Sequence, residues 1–312
     1  MSDIDKQNEL AIRRQQIDEL KSLTYEEYEA KVKEWMLIAD KGAIKVIPLL
    51  IMANMISGTK PIWCHLVGPS GGGKTELLQA FSELPYTYVL SLITTNTLLS
   101  GMPGRGDMSL LPKLDGKIAL FLDWTNITSQ ARDAKQEIMG QLRDAYDGHV
   151  KKDFGNGKSA EWGPGGKFGL ISGVTQMVDQ HQQASTALGE RFIHYRIHMP
   201  DRLAVADIAS KNAINKKRRE LDLADAAIAY MKGLAFPKKT DEMPVVPEEF
   251  RQELITISDF IVRARSAVIR EFSMKKEVLF VPTPEMPTRL PQQLMVLATA
   301  DMLMNPDRQL SE

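Results

Sequence analysis

The feature that most constrains the fold is a glycine-rich segment, Gly-Pro-Ser-Gly-Gly-Gly-Lys-Thr at 68–75. It matches the pattern G-x-x-x-x-G-K-[ST] at every fixed position. The apolar run at 62–67 before it has the composition of a short buried strand, and residues 75–84 after it place apolar side chains at helical spacing. Strand, glycine loop and helix in this order predict a phosphate-binding loop, and with it an α/β fold around a central parallel sheet.

The loop sequence also predicts which atoms hold the ligand. Glycines adopt backbone conformations closed to other residues, so successive N–H groups converge on phosphate oxygens. We expect Lys74 to reach the β- and γ-phosphates of ATP, and the hydroxyl of Thr75 to hold Mg²⁺. The remaining ATP-binding residues of the loop are Gly68, Pro69, Ser70, Gly71, Gly72 and Gly73.

Composition and charge exclude several classes of protein. Hydrophobic residues make up 43% of the 312 residues and charged residues 25%, which is ordinary for a globular protein. The formal net charge is −1, so any nucleic-acid-binding surface must be local. One cysteine, no secretory signal pattern at the start and no apolar stretch of membrane-spanning length together predict a cytoplasmic protein with no membrane partner.

The periodicity of apolar residues divides the chain into three regions. Residues 1–40 are charged and helical in pattern, which predicts an N-terminal helical arm. Residues 201–312 are also helical in pattern and predict a smaller α-helical lid. Between them, residues 41–200 predict an αβ nucleotide-binding core, with strands at 86–93, 117–123, 167–172 and 190–197, a loop at 101–107 and a helix from Ser129 to Tyr146.

Asp123 is the second predicted ligand of the magnesium ion. It ends the apolar run Lys-Ile-Ala-Leu-Phe-Leu-Asp at 117–123. A carboxylate at the carboxyl end of a central parallel strand faces the phosphate loop and holds Mg²⁺ through water. An apolar run that ends in Asp is common, and its position downstream of a complete phosphate loop is what makes Asp123 a Walker B candidate.

The motifs that follow occur in a distinctive order. A helical segment leads to a β-hairpin signal at 148–162 with Gly-Asn-Gly at its turn, then to a strand ending at Thr175, then to Gly-Glu-Arg-Phe at 189–192. This order resembles the presensor-1 β-hairpin branch of the AAA+ ATPases, which includes the MCM helicases. Asp-Trp-Thr at 123–125, Tyr-Asp-Gly at 146–148 and Gly-Glu-Arg-Phe are similar to signatures of such ATPases encoded by phages and other mobile elements.

The resemblance covers residues 40–305 and implies a fold and a set of roles. The fold is a P-loop AAA+ core, with a central parallel sheet flanked by helices and a presensor-1 β-hairpin, followed by a smaller α-helical lid. Arg191 corresponds to the arginine finger, Thr175 to the polar sensor-1 residue and Arg289, in Pro-Thr-Arg at 287–289, to the sensor-2 arginine. A finger that acts on a neighbouring copy implies a homo-oligomer, either a ring or a dimer, and the resemblance favours a ring that is a hexamer. The alternatives are a structural salt bridge for Arg191 and a helix cap for Arg289.

One position departs from the family pattern. The family places Glu directly after the Walker B Asp, as the base that polarises the attacking water, and this chain has Trp124 there. Asn126 can orient a water molecule through its amide but cannot accept a proton as a carboxylate does. Glu137, on the following helix, is a candidate replacement, and hydrolysis is slow unless a base comes from elsewhere. The predicted catalytic residues are Lys74, Asp123, Asn126 and Arg191.

The hairpin carries the predicted contacts with DNA. Lys151, Lys152 and Lys158 lie near its tip, and resemblance to the MCM helicases implies that they contact DNA phosphates in the ring channel. The alternative is that these lysines keep an exposed hairpin soluble. The expected function is a DNA helicase, translocase or remodeller in mobile-element replication, with a partner protein as a further source of DNA contacts. A protein-remodelling or regulatory AAA+ ATPase of the MoxR or sigma-activator type is the alternative.

Overall fold

The computed structural model describes residues 3–100, 109–155, 157, 159–179, 191–266, 269–270, 277–281 and 283–306, so the loop predicted at 101–107 lies outside the described residues. No helix within these ranges is both long and apolar enough to cross a membrane.

The helices are α1 (Asp3–Glu19), α2 (Tyr25–Trp35), α3 (Lys41–Met55), α4 (Lys74–Gln79), α5 (Leu111–Leu114), α6 (Thr125–Thr128), α7 (Arg132–Tyr146), α8 (Arg202–Lys211), α9 (Lys216–Gly233), α10 (Glu248–Arg265) and α11 (Arg289–Met304). The strands are β1 (Trp63–Val67), β2 (Thr87–Leu90), β3 (Ile118–Phe121), β4 (Val150–Asp153), β5 (Ser159–Trp162), β6 (Gly169–Val174), β7 (Phe192–Arg196), β8 (Ile269–Arg270) and β9 (Val278–Phe280).

Five parallel strands form the central sheet, in the order β2-β3-β6-β1-β7. Every residue of β1, β3 and β6 is buried, as expected of parallel strands covered on both faces. Because the strands run in one direction, their carboxyl ends meet at one edge of the sheet, the carboxyl edge, and their amino ends at the other, the amino edge. The predicted parallel sheet is confirmed, and so is the antiparallel hairpin, which β4 and β5 form apart from it.

Helices from both ends of the chain pack on one face of the sheet. α9 packs against α2, where the rings of Tyr28 and Tyr230 stack with centroids 5.0 Å apart, and α11 packs against α3. One buried cluster therefore joins residues of the predicted arm, core and lid, such as Val32, Leu66 and Ala300. The domain boundaries at 40 and 200 stay a prediction.

The other face of the sheet carries an aromatic core. The ring of Trp63 on β1 lies 5.2 Å from that of Tyr146, 5.2 Å from that of Phe168 and 5.3 Å from that of Phe192. Trp162, the last residue of the hairpin, packs on Phe168 with 6.0 Å between ring centroids. This core attaches the end of α7 and the base of the hairpin to the sheet.

One predicted helix begins later than expected, and a short separate helix precedes it. The sequence predicts a single helix that Ser129 caps, whereas α6 ends at Thr128 and α7 begins at Arg132, with Ala131 at its N-cap position. Asp123 accepts a hydrogen bond from the backbone N–H of Thr125 at 2.9 Å. This bond begins a separate short helix directly after the Asp123 strand, which local periodicity does not reveal.

Two histidines lie inside the sheet and favour the neutral form. The ring of His65 stacks on Phe192 with 3.9 Å between centroids, and its Nδ1 is 2.6 Å from the hydroxyl oxygen of Ser172. Burial lowers the pKa of His65 well below its usual value, and the neighbouring His194 adds to this. Burial also lowers the pKa of His194 to about 4, with a further contribution from the charge of Arg196. Folding therefore competes with protonation of both rings.

We expect the protein to lose stability as the pH falls from 6.5 towards 4. The pKa of His194 is 6.5 when it is exposed and about 4 in the folded chain, so the unfolded state binds more protons in this window. Each such histidine reduces the free energy of unfolding by about 1.4 kcal/mol per pH unit. Denaturant unfolding near pH 7 and near pH 5 should show a weaker pH dependence for His194→Gln than for the wild type. The exposed-site control His198→Gln should match the wild type; equal dependence in all three proteins contradicts the assignment.

Candidate functional site

The phosphate loop connects β1 to α4 at the carboxyl edge of the sheet. Gly71 and Gly73 have φ angles of 73° and 74°, in the left-handed region that favours glycine. The N–H of Gly68 donates to the carbonyl of Val174, the last residue of β6, at 3.1 Å. The start of the loop is therefore fixed to the neighbouring strand, and its glycines turn the chain into α4.

Lys74 points back into the loop. Its Nζ donates to the carbonyl oxygens of Gly68 and Pro69, at 3.0 and 2.6 Å, and the residue is 8% exposed. Burial lowers the pKa of Lys74, and the carboxylates of Asp123 and Glu76 oppose this shift. Lys74 and Asp123 are therefore close enough to interact electrostatically, as a joint site for a triphosphate and its metal ion requires.

Asp123 and Thr175 follow the two strands next to the loop strand. Asp123 comes shortly after β3 and is exposed. Thr175 directly follows β6, which lies between β1 and β3 in the sheet. Thr75, in the first turn of α4, is exposed at the same edge. The structure thus gathers Lys74, Thr75, Asp123 and Thr175 at the carboxyl edge.

These groups suit a magnesium-bound triphosphate. The loop presents backbone N–H groups and Lys74 an ammonium for phosphate oxygens, while the hydroxyl of Thr75 and the carboxylate of Asp123 are oxygen ligands of the kind that Mg²⁺ prefers. The ends of two methionine side chains lie against the loop, and a side chain at either of two glycines would displace them. A Cβ at Gly73 would lie 2.2 Å from the Cε of Met36, and one at Gly72 would lie 2.8 Å from the Cε of Met199.

Sequence reasoning missed these two methionines. Met36 directly follows α2 and Met199 comes shortly after β7, so both reach the loop from distant parts of the chain. Ile197 adds to this apolar surface, since its Cβ would lie 3.7 Å from a Cβ at Gly68. No motif marks any of the three residues, because only the folded chain brings their segments to the loop.

Trp124 occupies the position where the resemblance implies Glu, and it belongs to the aromatic core. The residue is 4% exposed, and its ring lies 4.9 Å from that of His65 and 5.3 Å from that of Phe192. A carboxylate in this apolar position would cost several kcal/mol unless it were paired. The side chain after Asp123 therefore stabilises the sheet and does not activate water.

Asn126 and Glu137, the residues considered as substitutes for that glutamate, are bonded to other segments. Asn126 is exposed, and its amide nitrogen donates to the carbonyl of Ser91, after β2, at 2.7 Å. Glu137 on α7 accepts a hydrogen bond from the Nζ of Lys152 on the hairpin at 2.9 Å. Both residues thus connect elements of the fold, and their catalytic roles stay predictions.

Arg191 lies at the amino edge, directly before β7. Its Nη2 donates to Oδ2 of Asp147 at 2.9 Å, and its guanidinium carbon lies 5.6 Å from the centre of the Tyr146 ring. The Arg191 side chain is 11% exposed, whereas that of Asp147 is half-exposed. The Tyr-Asp-Gly and Gly-Glu-Arg-Phe signatures, which are distant in sequence, therefore meet here. Arg191 forms the structural salt bridge that the sequence offered as the alternative to an arginine finger.

Arg289, the first residue of α11, lies at the same amino edge. Gln293, one turn further along α11, donates to the hydroxyl of Tyr146 at 3.1 Å and to the carbonyl of Arg191 at 3.0 Å. Burial raises the pKa of Tyr146, and the bond from Gln293 and the charges of Arg289 and Arg191 oppose this shift. Arg289 also borders a cavity of about 600 Å³, together with Lys60 and Tyr146.

The two arginines are therefore together but far from the loop of their own chain. Tyr146 contacts Trp63, at the amino end of β1, whereas the loop begins after Val67 at the carboxyl end. β1 has 5 residues, a length of about 16 Å. The structure does not bring Arg191 or Arg289 to Lys74 of the same chain.

The hairpin lysines differ in their surroundings. Lys151 is exposed on β4, and Lys158 lies outside the described residues. Lys152 is bonded inside the protein, to residues of α7 and of the segment after β2. Asp153 and Glu161 are exposed on the same hairpin. The described part of the hairpin thus presents acidic groups beside its exposed lysine.

The chain has weak likeness to known structures. No protein-family model matches it, and no curated protein does. It is similar to the apo C-terminal region (305–718) of NrS-1, with a TM-score of 0.40 and 16% identity, over 79% of this chain and 57% of that chain. It is also similar to an A form apo structure of the NrS-1 C-terminal region, with a TM-score of 0.38 and 11% identity, over 94% of this chain and 69% of that one. At these TM-scores the likeness says nothing about function.

Proposed function

We propose that this chain is an AAA+ ATPase of the presensor-1 β-hairpin branch, which binds ATP with Mg²⁺, hydrolyses it between two copies and acts on DNA. The observation that carries the proposal is the geometry of the phosphate loop, in which Gly71 and Gly73 have positive φ angles and the ammonium of Lys74 is bonded back to the carbonyls of Gly68 and Pro69. The strand order supports it, because β6 places Thr175 between the strand of the phosphate loop and the strand of Asp123.

Each residue at the carboxyl edge has a task in this proposal. Magnesium-bound ATP supplies a γ-phosphoryl group whose transfer is fastest when the charge on its oxygens is stabilised. The loop N–H groups and Lys74 bind and orient the phosphates, while Thr75 and Asp123 hold the metal ion. Because Trp124 supplies no proton acceptor, the rate depends on charge stabilisation more than on a general base.

The positions of the two arginines support a site shared between copies. Arg191 and Arg289 lie at the amino edge, so they stabilise charge only at the carboxyl edge of a neighbour. A head-to-tail contact brings these two edges together, and contacts of this kind close into rings. In such a ring, the planar guanidinium of Arg191 moves from Asp147 to the transferring phosphoryl group. Asp147 is half-exposed at this edge, whereas the Arg191 side chain is 11% exposed, so Arg191 has to turn outward to reach a neighbouring copy.

We expect DNA to stimulate ATP hydrolysis. Replacement of Lys151 and Lys158 together with Ala should abolish the stimulation, because these two hairpin residues can then no longer bind phosphates. The slope of log affinity against log salt should also fall by about 0.7–0.9 for each phosphate that is no longer neutralised. ATP turnover, titrated with single-stranded and duplex DNA at several salt concentrations, measures both effects.

A matched control removes the same charge from another surface. Lys216 and Lys217 are exposed in the first turn of α9, and their replacement with Ala should leave the response to DNA intact. Turnover in the wild type that is the same at every DNA concentration contradicts the DNA part of the proposal. It leaves the nucleotide part standing.

A second candidate function is the remodelling of a protein, as in the MoxR or sigma-activator type of AAA+ ATPase. One observation favours it: the described part of the hairpin exposes Asp153 and Glu161 beside Lys151. Such a surface does not concentrate positive charge as binding to DNA phosphates requires. A rate of ATP hydrolysis that rises with a protein substrate and does not change with DNA would support this second function.

A further inference from the structure

A short segment after β2 joins the Asp123 turn to the hairpin. This connecting segment, residues 91–95, leaves the carboxyl edge of the sheet, and Ile93 within it is fully buried. Its alternate carbonyl groups accept hydrogen bonds from side chains of three different elements. The bonds run from Asn126 to Ser91 at 2.7 Å, from Gln130 to Ile93 at 2.8 Å, from Gln141 to Thr95 at 2.9 Å and from Lys152 to Thr95 at 2.8 Å.

The four donors come from two separate regions of the fold. Asn126 lies on α6 and Gln130 directly after it, so both belong to the turn that follows Asp123. Gln141 lies on α7 and Lys152 on the hairpin strand β4. Side chains that bond one backbone segment from several sides move with it, because each bond costs free energy to break. A displacement of the Asp123 turn therefore reaches the hairpin through residues 91–95.

Lys152 makes the last link of this chain of bonds. Its ammonium group has three N–H donors, and it has three acceptors: the carbonyl of Thr95 at 2.8 Å, Oδ1 of Asn96 at 3.2 Å and Oε1 of Glu137 at 2.9 Å. The side chain is 20% exposed, and its Nζ lies 5.5 Å from the centre of the Phe154 ring. An amine held in this way has no N–H left for a DNA phosphate.

We propose that Lys152 is a positioning residue, which ties the β4–β5 hairpin to the connecting segment and so makes the hairpin follow the turn after Asp123. The inference rests on the proposed function, since Asp123 belongs to the nucleotide site described there. It changes the role of Lys152 from a contact with DNA to a link inside the chain. Lys151, its exposed neighbour, remains the DNA-facing lysine of β4.

Hydrogen exchange with a matched pair of variants tests this link. Lys152→Met keeps an unbranched side chain of similar length and removes the three bonds, while Lys151→Met removes one exposed charge from the same strand. A non-hydrolysable ATP analogue with Mg²⁺ should slow amide exchange about tenfold in residues 91–96 and in the hairpin of the wild type, a typical size for coupling between sites. Lys151→Met should keep both responses.

In Lys152→Met, the response at 91–96 should persist and the response in the hairpin should be abolished. The first response persists because Gln141 still bonds Thr95, at 2.9 Å, and Glu137, at 3.1 Å, and it shows that the variant is folded and binds nucleotide. A hairpin response that survives in Lys152→Met overturns the inference, as does a wild type that binds nucleotide without any hairpin response. Titration calorimetry on the same wild-type sample separates the two proposals: absence of nucleotide binding overturns the proposed function itself.

Discussion

Replacement of Lys74 with Ala is expected to abolish measurable ATP hydrolysis and to weaken the binding of Mg–ATP by about 10- to 100-fold. The variant loses charge-assisted hydrogen bonds to phosphate, each worth about 1.5–3 kcal/mol. Lys74 is buried inside the loop and bonded to the carbonyls of Gly68 and Pro69, so its ammonium is already directed into the proposed site. Titration with a fluorescent ATP analogue measures binding, and phosphate release measures turnover.

The effect should be specific to this lysine. Lys113→Ala, at an exposed position on α5, should bind and hydrolyse ATP as the wild type does. Equal affinity for Mg–ATP in Lys74→Ala and the wild type would show that the loop does not bind a triphosphate.

Replacement of Arg191 with Ala is expected to slow hydrolysis by about 10³-fold or more and to change nucleotide affinity only a few-fold. A finger supplied by a neighbouring copy stabilises charge that develops in the transition state, and such fingers contribute about 10³–10⁵ in rate. Single-turnover hydrolysis at saturating ATP separates this effect from binding. The same assay on mixtures tests whether the site is shared.

An equimolar mixture of Arg191→Ala and Lys74→Ala chains should regain part of the activity that each variant lacks on its own. At some subunit interfaces of the mixed assembly, the intact phosphate loop of an Arg191→Ala chain meets the intact Arg191 of a Lys74→Ala chain. Sedimentation should show that the Arg191→Ala and Lys74→Ala chains both assemble, and it is measured with and without Mg–ATP. If no ratio of the two chains restores turnover, the site is not shared between copies.

Asp147→Asn distinguishes the finger from a purely structural salt bridge. This variant removes the charge that Arg191 pairs with, at 2.9 Å, and keeps the guanidinium. Under the proposed function, Asp147→Asn retains far more activity than Arg191→Ala, because Arg191 is still available to a neighbour. If Asp147→Asn and Arg191→Ala reduce activity and thermal stability to the same extent, the effect of Arg191→Ala comes from loss of the salt bridge with Asp147.

The order of strands and turns could be predicted because its signals are local. Gly71 and Gly73 have positive φ angles, as a loop of this sequence requires. The Gly-Asn-Gly turn predicted the hairpin between β4 and β5, and the apolar run before Asp123 predicted β3. Each signal involves residues within a few positions of one another, so the chain next to them is sufficient to determine the structure.

The partners of individual side chains were decided by the tertiary structure. Lys151 and Lys152 are adjacent residues of one type, yet Lys152 bonds Thr95, which is 57 positions away, while Lys151 faces outward. Arg191 likewise pairs with Asp147, which is 44 positions away.

By itself, then, the sequence determined the loop, the strands of the central sheet, the β4–β5 hairpin and the acid that follows β3. Only the packed sheet decided that Arg191 and Arg289 share its amino edge and that Trp124 belongs to the core. The physical reason is that backbone conformation depends on neighbours in the chain, whereas burial and ion pairing depend on which distant segments are packed together.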